Sequence, residues 1–364
     1  MNKFAFLIHP IKPKDAVRKF KFMESFPDPV IEKILDFLPP MKVSEITGIR
    51  SKTGAEIKGW FIALPRTPRQ ILEMPLEKAY NLITKAGKMA EDLGAQIFGL
   101  GAFTKVIGDK GISIAKRLRI PVTTGNSYTS ASAIDSTLLA AQKMEIDLSG
   151  AKASVIGAAG SIGAACAKVL ARKVPKLTLA DRSIDLLAPV KKELHENNSC
   201  AISVSTDPRE SVKDADIVIA VSSATGVIVE PGDLKPGAVI CDVARPRNLS
   251  RAVNDARDDV LVIDGGVIKV PGQMELGIDI GFPPDCAEAC MAETMILTLE
   301  SRFECFTLGS ELSLEKLDTI SELADKHGFE IAGFRRFEKA IPDEEIIWRR
   351  DNSRKKRERL TVNL

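Results

Sequence analysis

The chain has 364 residues, of which 45% are hydrophobic and 27% charged, and its formal net charge is +2. This balance is typical of a folded globular protein, excludes a disordered chain and gives no sign of a nucleic-acid partner. No apolar run approaches the roughly 20 residues that span a bilayer, so we expect a cytoplasmic protein without a transmembrane segment.

The N-terminal part of the chain, residues 1–148, is expected to form a smaller mixed α/β domain that binds substrate. Residues 45–64 have the pattern of a β-hairpin. Apolar residues recur at helical spacing over 79–93, which predicts an amphipathic helix that ends at Gly94, and a short strand is expected at 96–100.

A connecting helix is expected at the end of this domain. Residues 123–127 offer good N-cap side chains for a helix from about Thr129 to Met144. The pattern of the sequence then changes near residues 148–150, and we place the domain boundary there.

In residues 149–270, strand-like apolar runs alternate with helical stretches. This alternation is typical of α/β proteins and predicts a Rossmann-type doubly wound parallel sheet that binds a dinucleotide. The six expected strands are 153–156, 177–180, 201–204, 217–221, 238–241 and 260–263.

Two further segments complete the chain. Residues 271–340 are expected to form C-terminal helices that pack back on the core, with a buried stripe from Ala289 to Phe303. Residues 341–364 are expected to form a basic, mobile tail, because 349–359 contain seven Lys and Arg residues and few apolar ones.

A glycine-rich turn follows the first strand of the dinucleotide fold. Gly157 would allow a tight turn, Gly160 would let the backbone approach a pyrophosphate, and Gly163 would let the next helix pack on the sheet. The spacing is G-x-x-G-x-x-G, and a glycine trio alone is often only a turn, but the strand before it and the helix after it favour cofactor binding. The predicted cofactor contacts in this turn are Gly157, Ala159, Gly160, Ser161 and Ile162.

The end of the second strand should decide which nicotinamide cofactor binds. Asp181 suits the free 2′-hydroxyl of NADH, whereas Arg182 suits the 2′-phosphate of NADPH. Both could equally be ordinary surface residues. Ser222, after the fourth strand, is predicted to lie beneath the nicotinamide half of the cofactor.

Cys286 and Cys290 lie near the start of the helical segment after the dinucleotide fold, where helical spacing would place them one turn apart on one face. One interpretation makes both small core residues. Another makes one of them a nucleophile, since a helix N-terminus lowers a thiol pKa and a thiolate can attack a thioester. No metal is expected, because the three histidines lack ligand spacing.

Motifs in both domains give a resemblance to a known family. They are 45–47, 100–104, 123–126, the turn at Gly157, 263–267, 289–293, 314–316 and 327–329. In their shared order they resemble the long-chain acyl-(acyl-carrier-protein) reductases of cyanobacteria, within the shikimate-dehydrogenase-like Rossmann proteins. That family reduces fatty acyl thioesters to fatty aldehydes, so the resemblance implies an aldehyde-forming reductase.

The resemblance assigns roles to several residues. The family cysteine that carries the acyl group matches Cys290 rather than Cys286, and the family arginine after the second strand matches Arg182, which implies NADPH. Asp181 departs from the family, which has a small residue there, and its carboxylate would repel a 2′-phosphate, so NADH stays an alternative. A family histidine is replaced here by Tyr128.

Oxyanion stabilisation has two candidates. Backbone donors near Gly265, which is also a predicted cofactor contact, form one, and side chains of 124–126 form the other. Asn126 is the predicted catalytic side chain of this segment. Plain helix capping explains Asn126 equally well.

The resemblance also implies partners. Acyl carrier protein or acyl coenzyme A would donate the acyl group, and an aldehyde-consuming enzyme could follow. Carrier proteins of this kind are acidic, so basic surfaces would help them dock. The tail at 349–359 is one such surface, and the other consists of Lys12, Lys14, Arg18, Lys19 and Lys21. A solvated charged face explains each equally well.

Two other functions stay open at this point. A small-substrate NAD(P)-dependent dehydrogenase of the shikimate or amino-acid type would need no covalent catalysis, and Lys105 with Asp109 would be its polar pair. A non-enzymatic nucleotide sensor would bind cofactor but would have no need of Cys290 in its motif.

Overall fold

The computed structural model describes residues 1–197, 199–224, 226–244, 247–281, 283–337 and 339–362. In chain order, the strands are β1 Asn2–Ile8, β2 Met41–Arg50, β3 Glu56–Ala63, β4 Ile97–Leu100, β5 Val122–Thr123, β6 Lys152–Ile156, β7 Lys176–Ala180, β8 Ala201–Ser205, β9 Ile217–Ala220, β10 Val239–Asp242, β11 Leu261–Asp264, β12 Val267–Lys269, β13 Gly272–Glu275, β14 Cys286–Glu288, β15 Glu330–Ile331, β16 Arg335–Arg336 and β17 Lys339–Ala340.

The α-helices are α1 Asp28–Leu35, α2 Pro68–Glu73, α3 Leu76–Asp92, α4 Ile112–Ala115, α5 Asn126–Lys143, α6 Ser161–Leu170, α7 Ile184–Asn197, α8 Pro208–Val212, α9 Arg251–Ala256, α10 Ala289–Leu299, α11 Leu314–His327 and α12 Asp343–Val362. Within the described residues, no helix is both long enough and apolar enough to cross a membrane.

The chain divides into two compact units. Unit 1 comprises Met1–Tyr128, Ile268–Glu311 and Asp318–Glu330, and unit 2 comprises Thr129–Val267, Leu312–Leu317 and Ile331–Leu364. The first division therefore falls at Tyr128, before the boundary expected at 148. The segment expected as separate C-terminal helices, 271–340, is shared between the two units.

Unit 1 is built on a mixed six-stranded sheet with the order β13-β2-β3-β1-β4-β5. The predicted hairpin is confirmed as β2 and β3, which pair antiparallel, while β1 is parallel to both β3 and β4. The predicted helix ending at Gly94 is also confirmed as α3, since Gly94 has a φ of +81° that stops the helix.

Helices pack on both faces of the unit 1 sheet. Buried residues of α3, among them Ile83, share one apolar cluster with Phe98 and Leu100 of β4. Gly99 points to the other face, where a methyl group on it would lie 2.3 Å from Thr294 Oγ1 of α10. The absence of a side chain at Gly99 therefore lets α10 lie directly on the sheet.

Unit 2 confirms the predicted α/β fold class and its Rossmann-type sheet. The strand order is β11-β10-β9-β6-β7-β8, and every neighbouring pair is parallel. The order reverses between β6 and β9, and this topological switch point is where open α/β sheets bind ligands. Apolar residues such as Val218 and Ile240 form the core of this unit.

The prediction of a mobile tail is wrong, because residues 343–362 form the helix α12. Arg349 is 4% exposed and donates hydrogen bonds to the carbonyl oxygens of Arg257 and Val260. Further along α12, Lys356 forms an ion pair with Asp258, which lies between these two residues in the sequence. These partners are far away in sequence, so the charge pattern of the tail alone could not reveal them.

Replacing Arg349 with Ala should destabilise the fold by about 2 to 4 kcal/mol, because it leaves buried carbonyl groups without donors. Chemical denaturation would measure the change in free energy of unfolding. Lys355→Ala, at an exposed position of the same helix, is the matched control and should change it little. Equal effects of the two substitutions would show that Arg349 does not hold the helix.

Candidate active site

The glycine turn of unit 2 has the backbone geometry that a dinucleotide site needs. Gly157 has a φ of +85°, and a methyl group on it would lie 2.8 Å from the backbone nitrogen of Ser222. A methyl group on Gly163 would lie 2.1 Å from the carbonyl oxygen of Gly157. Both glycines are therefore required by close backbone approach, and the predicted residues Gly157 and Ser222 are brought together at the switch point.

The helix after the turn presents an N-terminus suited to an anion. Its N-cap, Gly160, has no capping side chain, and α6 then begins with the predicted contacts Ser161 and Ile162. A methyl group on Gly160 would meet the Gly157 carbonyl oxygen at 3.2 Å, and no other heavy atom of a described residue lies within 4 Å apart from its chain neighbours. Since helix N-termini attract phosphate, these residues fit the pyrophosphate of a dinucleotide.

The carboxylate of Asp181 lies against the same turn. Its Oδ2 accepts the N–H of Ala159 at 3.1 Å, and its Oδ1 accepts the N–H of Arg182 at 2.8 Å. The side chain of Arg182 is exposed. The structure thus places a negative charge beside the turn, at the position where adenosine ribose is recognised in this fold.

Gly265 is differently placed from the other predicted cofactor contacts. Its N–H donates to the carbonyl oxygen of Asp242 at 3.1 Å, and a methyl group on it would lie 2.7 Å from Cys241 Sγ. Close packing therefore explains why residue 265 is a glycine. Its N–H is already hydrogen-bonded to Asp242.

Asn248 is a buried residue of unit 2 that sequence reasoning missed. Its Oδ1 accepts the N–H of Ser222 at 3.1 Å, and its side chain is fully buried. No described residue pairs with its Nδ2. No motif marks this asparagine, because its role depends on the loop after β9 being adjacent to it in space.

The candidate nucleophile lies in unit 1. The chain is extended at β14, Glu288 is the N-cap, and α10 begins at Ala289, so Cys290 lies in the first helical turn and is 3% exposed. The expectation that Cys286 and Cys290 share one helix face is wrong, because Cys286 lies in the strand before the helix. The helix starts later than the cysteine spacing suggested.

Gly125 packs directly against Cys290. Its φ is +72°, and a methyl group on it would lie 2.3 Å from Cys290 Cα. Asn126 follows as the first residue of α5 and is 3% exposed. Asn126 is therefore already helical and does not occupy the N-cap position that the capping explanation required.

The buried carboxyl group of Glu293 links α10 with β5 and the start of α5 by hydrogen bonds. Thr123 Oγ1 donates to Glu293 Oε1 at 2.5 Å, and the N–H of Tyr128 donates to Glu293 Oε2 at 3.0 Å. Burial raises the pKa of Glu293, and the hydrogen bonds from Thr123 and Tyr128 oppose that rise. Glu293 of α10 thus holds the start of α5 beside Cys290. The sequence motif at 289–293 includes Glu293, but no sequence pattern indicates this role.

Charges around Cys290 act on the thiol in opposite directions. Burial raises the pKa of Cys290 to about 12, the positive charge of Lys105 lowers it, and the nearby carboxylate of Glu288 raises it. The Cys290 Sγ lies 3.7 Å from Glu288 Oε2. The thiol is therefore protonated at neutral pH, and the effect expected from the helix N-terminus does not dominate.

Asp109, the proposed partner of Lys105, has a local structural role. The N–H of Ser113 donates to its Oδ1 at 3.0 Å, and the Ser113 hydroxyl donates to its Oδ2 at 2.6 Å. Burial alone would raise the pKa of Asp109, but these bonds outweigh it and lower that pKa. Asp109 thus supports the start of α4.

Comparisons with known proteins match either one part of the chain or most of it. The family model described as Shikimate / quinate 5-dehydrogenase matches residues 138–264, within unit 2. The chain is 31% identical over 320 residues to the aminotransferase PigE of Serratia, covering 86% of this chain but 36% of PigE. It thus spans about a third of that relative.

Two further relatives are reductases by name. The long-chain acyl-[acyl-carrier-protein] reductase of Synechococcus elongatus is 28% identical over 307 residues, which cover 80% of this chain and 87% of that protein. The glutamyl-tRNA reductase of Sorangium cellulosum is 28% identical over 219 residues, which cover 56% of this chain and 37% of that protein.

Gly125→Ala should displace the backbone at Cys290 and destabilise unit 1 by about 2 to 4 kcal/mol, since it adds both left-handed strain and steric overlap. Chemical denaturation and alkylation of Cys290, mapped by peptide mass spectrometry, would measure the two effects. In Gly150→Ala, the new methyl group has no heavy atom of a described residue within 4 Å, apart from its two chain neighbours, so stability and alkylation should stay unchanged. A stable Gly125→Ala protein with wild-type alkylation would contradict this packing role.

Proposed function

We propose that this chain is a nicotinamide-dependent reductase that converts a long-chain fatty acyl thioester into a fatty aldehyde through an acyl-enzyme on Cys290. The observation that carries the proposal is the position of Cys290, held in the first turn of α10 against Gly125. The resemblance of the Cys290 motif to that of acyl-carrier-protein reductases supports it, as does the similarity to a reductase of that name.

The first half of the proposed reaction is thioester exchange. Cys290 Sγ attacks the carbonyl carbon of the substrate, a new carbon–sulfur bond forms, and the bond to the carrier thiol breaks. The acyl donor is acyl carrier protein or acyl coenzyme A. Burial of Cys290 keeps water away from the acyl-enzyme, so reduction can precede hydrolysis.

The second half needs a reduced cofactor, for which unit 2 has a fitting site. Gly157 and Gly160 with the first turn of α6 would hold the pyrophosphate, and Asp181 with Arg182 would contact the adenosine ribose. A bound NADPH or NADH supplies the hydride that releases the aldehyde. NADPH follows from the resemblance at Arg182, and the carboxylate of Asp181 is the argument for NADH.

Two groups in unit 1 suit the negative charge that develops on the substrate oxygen. Lys105 interacts electrostatically with Cys290, so its positive charge favours an anion there. Asn126 lies next to Gly125, which contacts Cys290, and its amide is the candidate oxyanion donor.

The small-substrate dehydrogenase is the alternative that the match over 138–264 favours. It needs a polar pair in unit 1, and the bonds from Ser113 already occupy the proposed member Asp109. Cys290 would have no chemical role in such an enzyme. We therefore favour the thioester reductase.

Docking of an acidic carrier is proposed at the N-terminal basic segment rather than at α12. In α12, Arg354 pairs with Glu145 and Lys356 pairs with Asp258. These intramolecular ion pairs offset part of the positive charge of the helix. In the N-terminal segment, Arg18 pairs with Asp279, but Lys14 and Lys19 donate to neutral backbone carbonyl groups, so the positive charge of these two lysines persists.

Cys290→Ala should abolish acyl-enzyme and aldehyde while leaving dinucleotide binding almost unchanged, because the substitution removes the nucleophile but not the unit 2 site. Mass spectrometry of protein and product, with fluorescence titration of the reduced cofactor, would measure this. Cys305→Ala removes an exposed thiol instead and should keep both acylation and aldehyde. Aldehyde production by Cys290→Ala would contradict covalent catalysis.

Asp181→Ser should tighten NADPH binding about tenfold and weaken NADH binding, because it removes a carboxylate that repels the 2′-phosphate and accepts the 2′-hydroxyl. Arg182→Ala should have the opposite effect on NADPH. Dissociation constants for both cofactors, measured on each variant, would decide the point. Unchanged cofactor preference in both variants would show that these side chains do not contact the ribose.

A further inference from the structure

The Cys290 thiol has a specific proton acceptor in contact. It donates to Glu288 Oε2 across 3.7 Å, and Glu288 is the N-cap of the helix whose first turn contains the cysteine. Glu288 is half-buried, whereas Cys290 is almost completely buried. The residue that accepts the hydrogen bond is therefore more exposed than the thiol that donates it.

Two other titratable groups near this site, His9 and Glu293, are already engaged in hydrogen bonds. His9 Nε2 accepts the N–H of Phe103 at 3.0 Å, and its Nδ1 lies 3.0 Å from the carbonyl oxygen of Pro10. Burial lowers the pKa of His9 to about 4, so it is a neutral ring with both nitrogens occupied. Both oxygens of Glu293 accept hydrogen bonds, from Thr123 and Tyr128.

We propose that Glu288 is the general base of the thioester exchange, a role that rests on the function proposed for Cys290. As Sγ bonds to the carbonyl carbon, the thiol proton moves to the Glu288 carboxylate. When the carbon–sulfur bond to the carrier breaks, the same proton passes to the leaving thiolate. The exchange consumes one thioester and one thiol and produces one of each, so no other reactant is needed.

The charges around the thiol explain why a base is needed here. Cys290 is buried and the Glu288 carboxylate opposes its ionisation, so a standing thiolate is scarce even with Lys105 nearby. Removal of the proton during attack avoids that cost. The neutral thiol is also less open to oxidation and alkylation while no substrate is bound.

The consequence is that Glu288→Gln should change two reactions of Cys290 in opposite directions. Alkylation by iodoacetamide needs the thiolate, and loss of the neighbouring negative charge lowers the thiol pKa, so alkylation at neutral pH should become faster. Acylation by palmitoyl coenzyme A should become slower by about 100-fold, because it loses its base. If Glu288 acted only through its charge, Glu288→Gln would speed up both reactions.

The pH dependence of acylation gives a second readout that a damaged fold would not imitate. The wild-type single-turnover rate should change little with pH around neutrality, because Glu288 accepts the thiol proton during attack and no thiolate has to form beforehand. In Glu288→Gln the rate should rise about tenfold per pH unit across the neutral range, because only the thiolate fraction reacts. Glu288→Asp should retain the wild-type shape at a reduced rate.

The experiment measures both rates on the full chain by peptide mapping of Cys290, with Glu311→Gln as a control that removes an exposed carboxylate from the same unit. That control should match the wild type. Normal wild-type acylation together with undiminished acylation of Glu288→Gln would overturn the role of Glu288 alone. A wild type that never acylates Cys290 would overturn the proposed function, and this role with it.

Discussion

The contact between Gly125 and Cys290 is the constraint on which the candidate site depends. A side chain at Gly125 would overlap the backbone of Cys290, so only glycine fits at this position. The buried carboxyl group of Glu293 holds this approach from the side of α10, because it accepts the N–H of Tyr128 at the start of α5. A thiol placed in this way is buried and close to Glu288.

The two units contribute different structural features, because unit 2 has a parallel sheet and unit 1 a mixed one. Unit 2 has the parallel order whose switch point accommodates a dinucleotide, and its glycine turn lies at that point beside Ser222. Unit 1 holds the thiol on a helix that packs on a mixed sheet, with Gly99 permitting the contact. The backbone thus forms a tight turn before a helix N-terminus in one unit and positions a buried thiol in the other.

Much of the fold could be predicted, because its signals are local. Alternating apolar runs predicted the parallel sheet, the glycine spacing predicted the turn at Gly157, and Gly94 marked the end of α3. The helix at 343–362 could not be predicted in the same way, because it is held by contacts with residues far away in sequence. Arg349, for example, donates to the carbonyl oxygens of residues 257 and 260. Interactions across such sequence distances leave no periodic pattern in a single chain.

The site was only partly predictable for the same reason. The motif around Cys290 singled out the cysteine, but the helix start at Ala289 and the contact with Glu288 follow from a chain that is extended up to residue 288. Asn248 has no sequence signal at all. Local conformation depends on residues that are close in sequence, so sequence patterns predict it. The partners of buried polar groups depend on tertiary packing, so sequence patterns do not predict them.

The most direct test of this account is to incubate the wild-type protein with palmitoyl carrier protein in the absence of cofactor and to map the acylated residue by mass spectrometry. The account predicts a palmitoyl group on Cys290 that disappears, with release of palmitaldehyde, when reduced cofactor is added. An unmodified Cys290 in a protein that binds the reduced cofactor would contradict it.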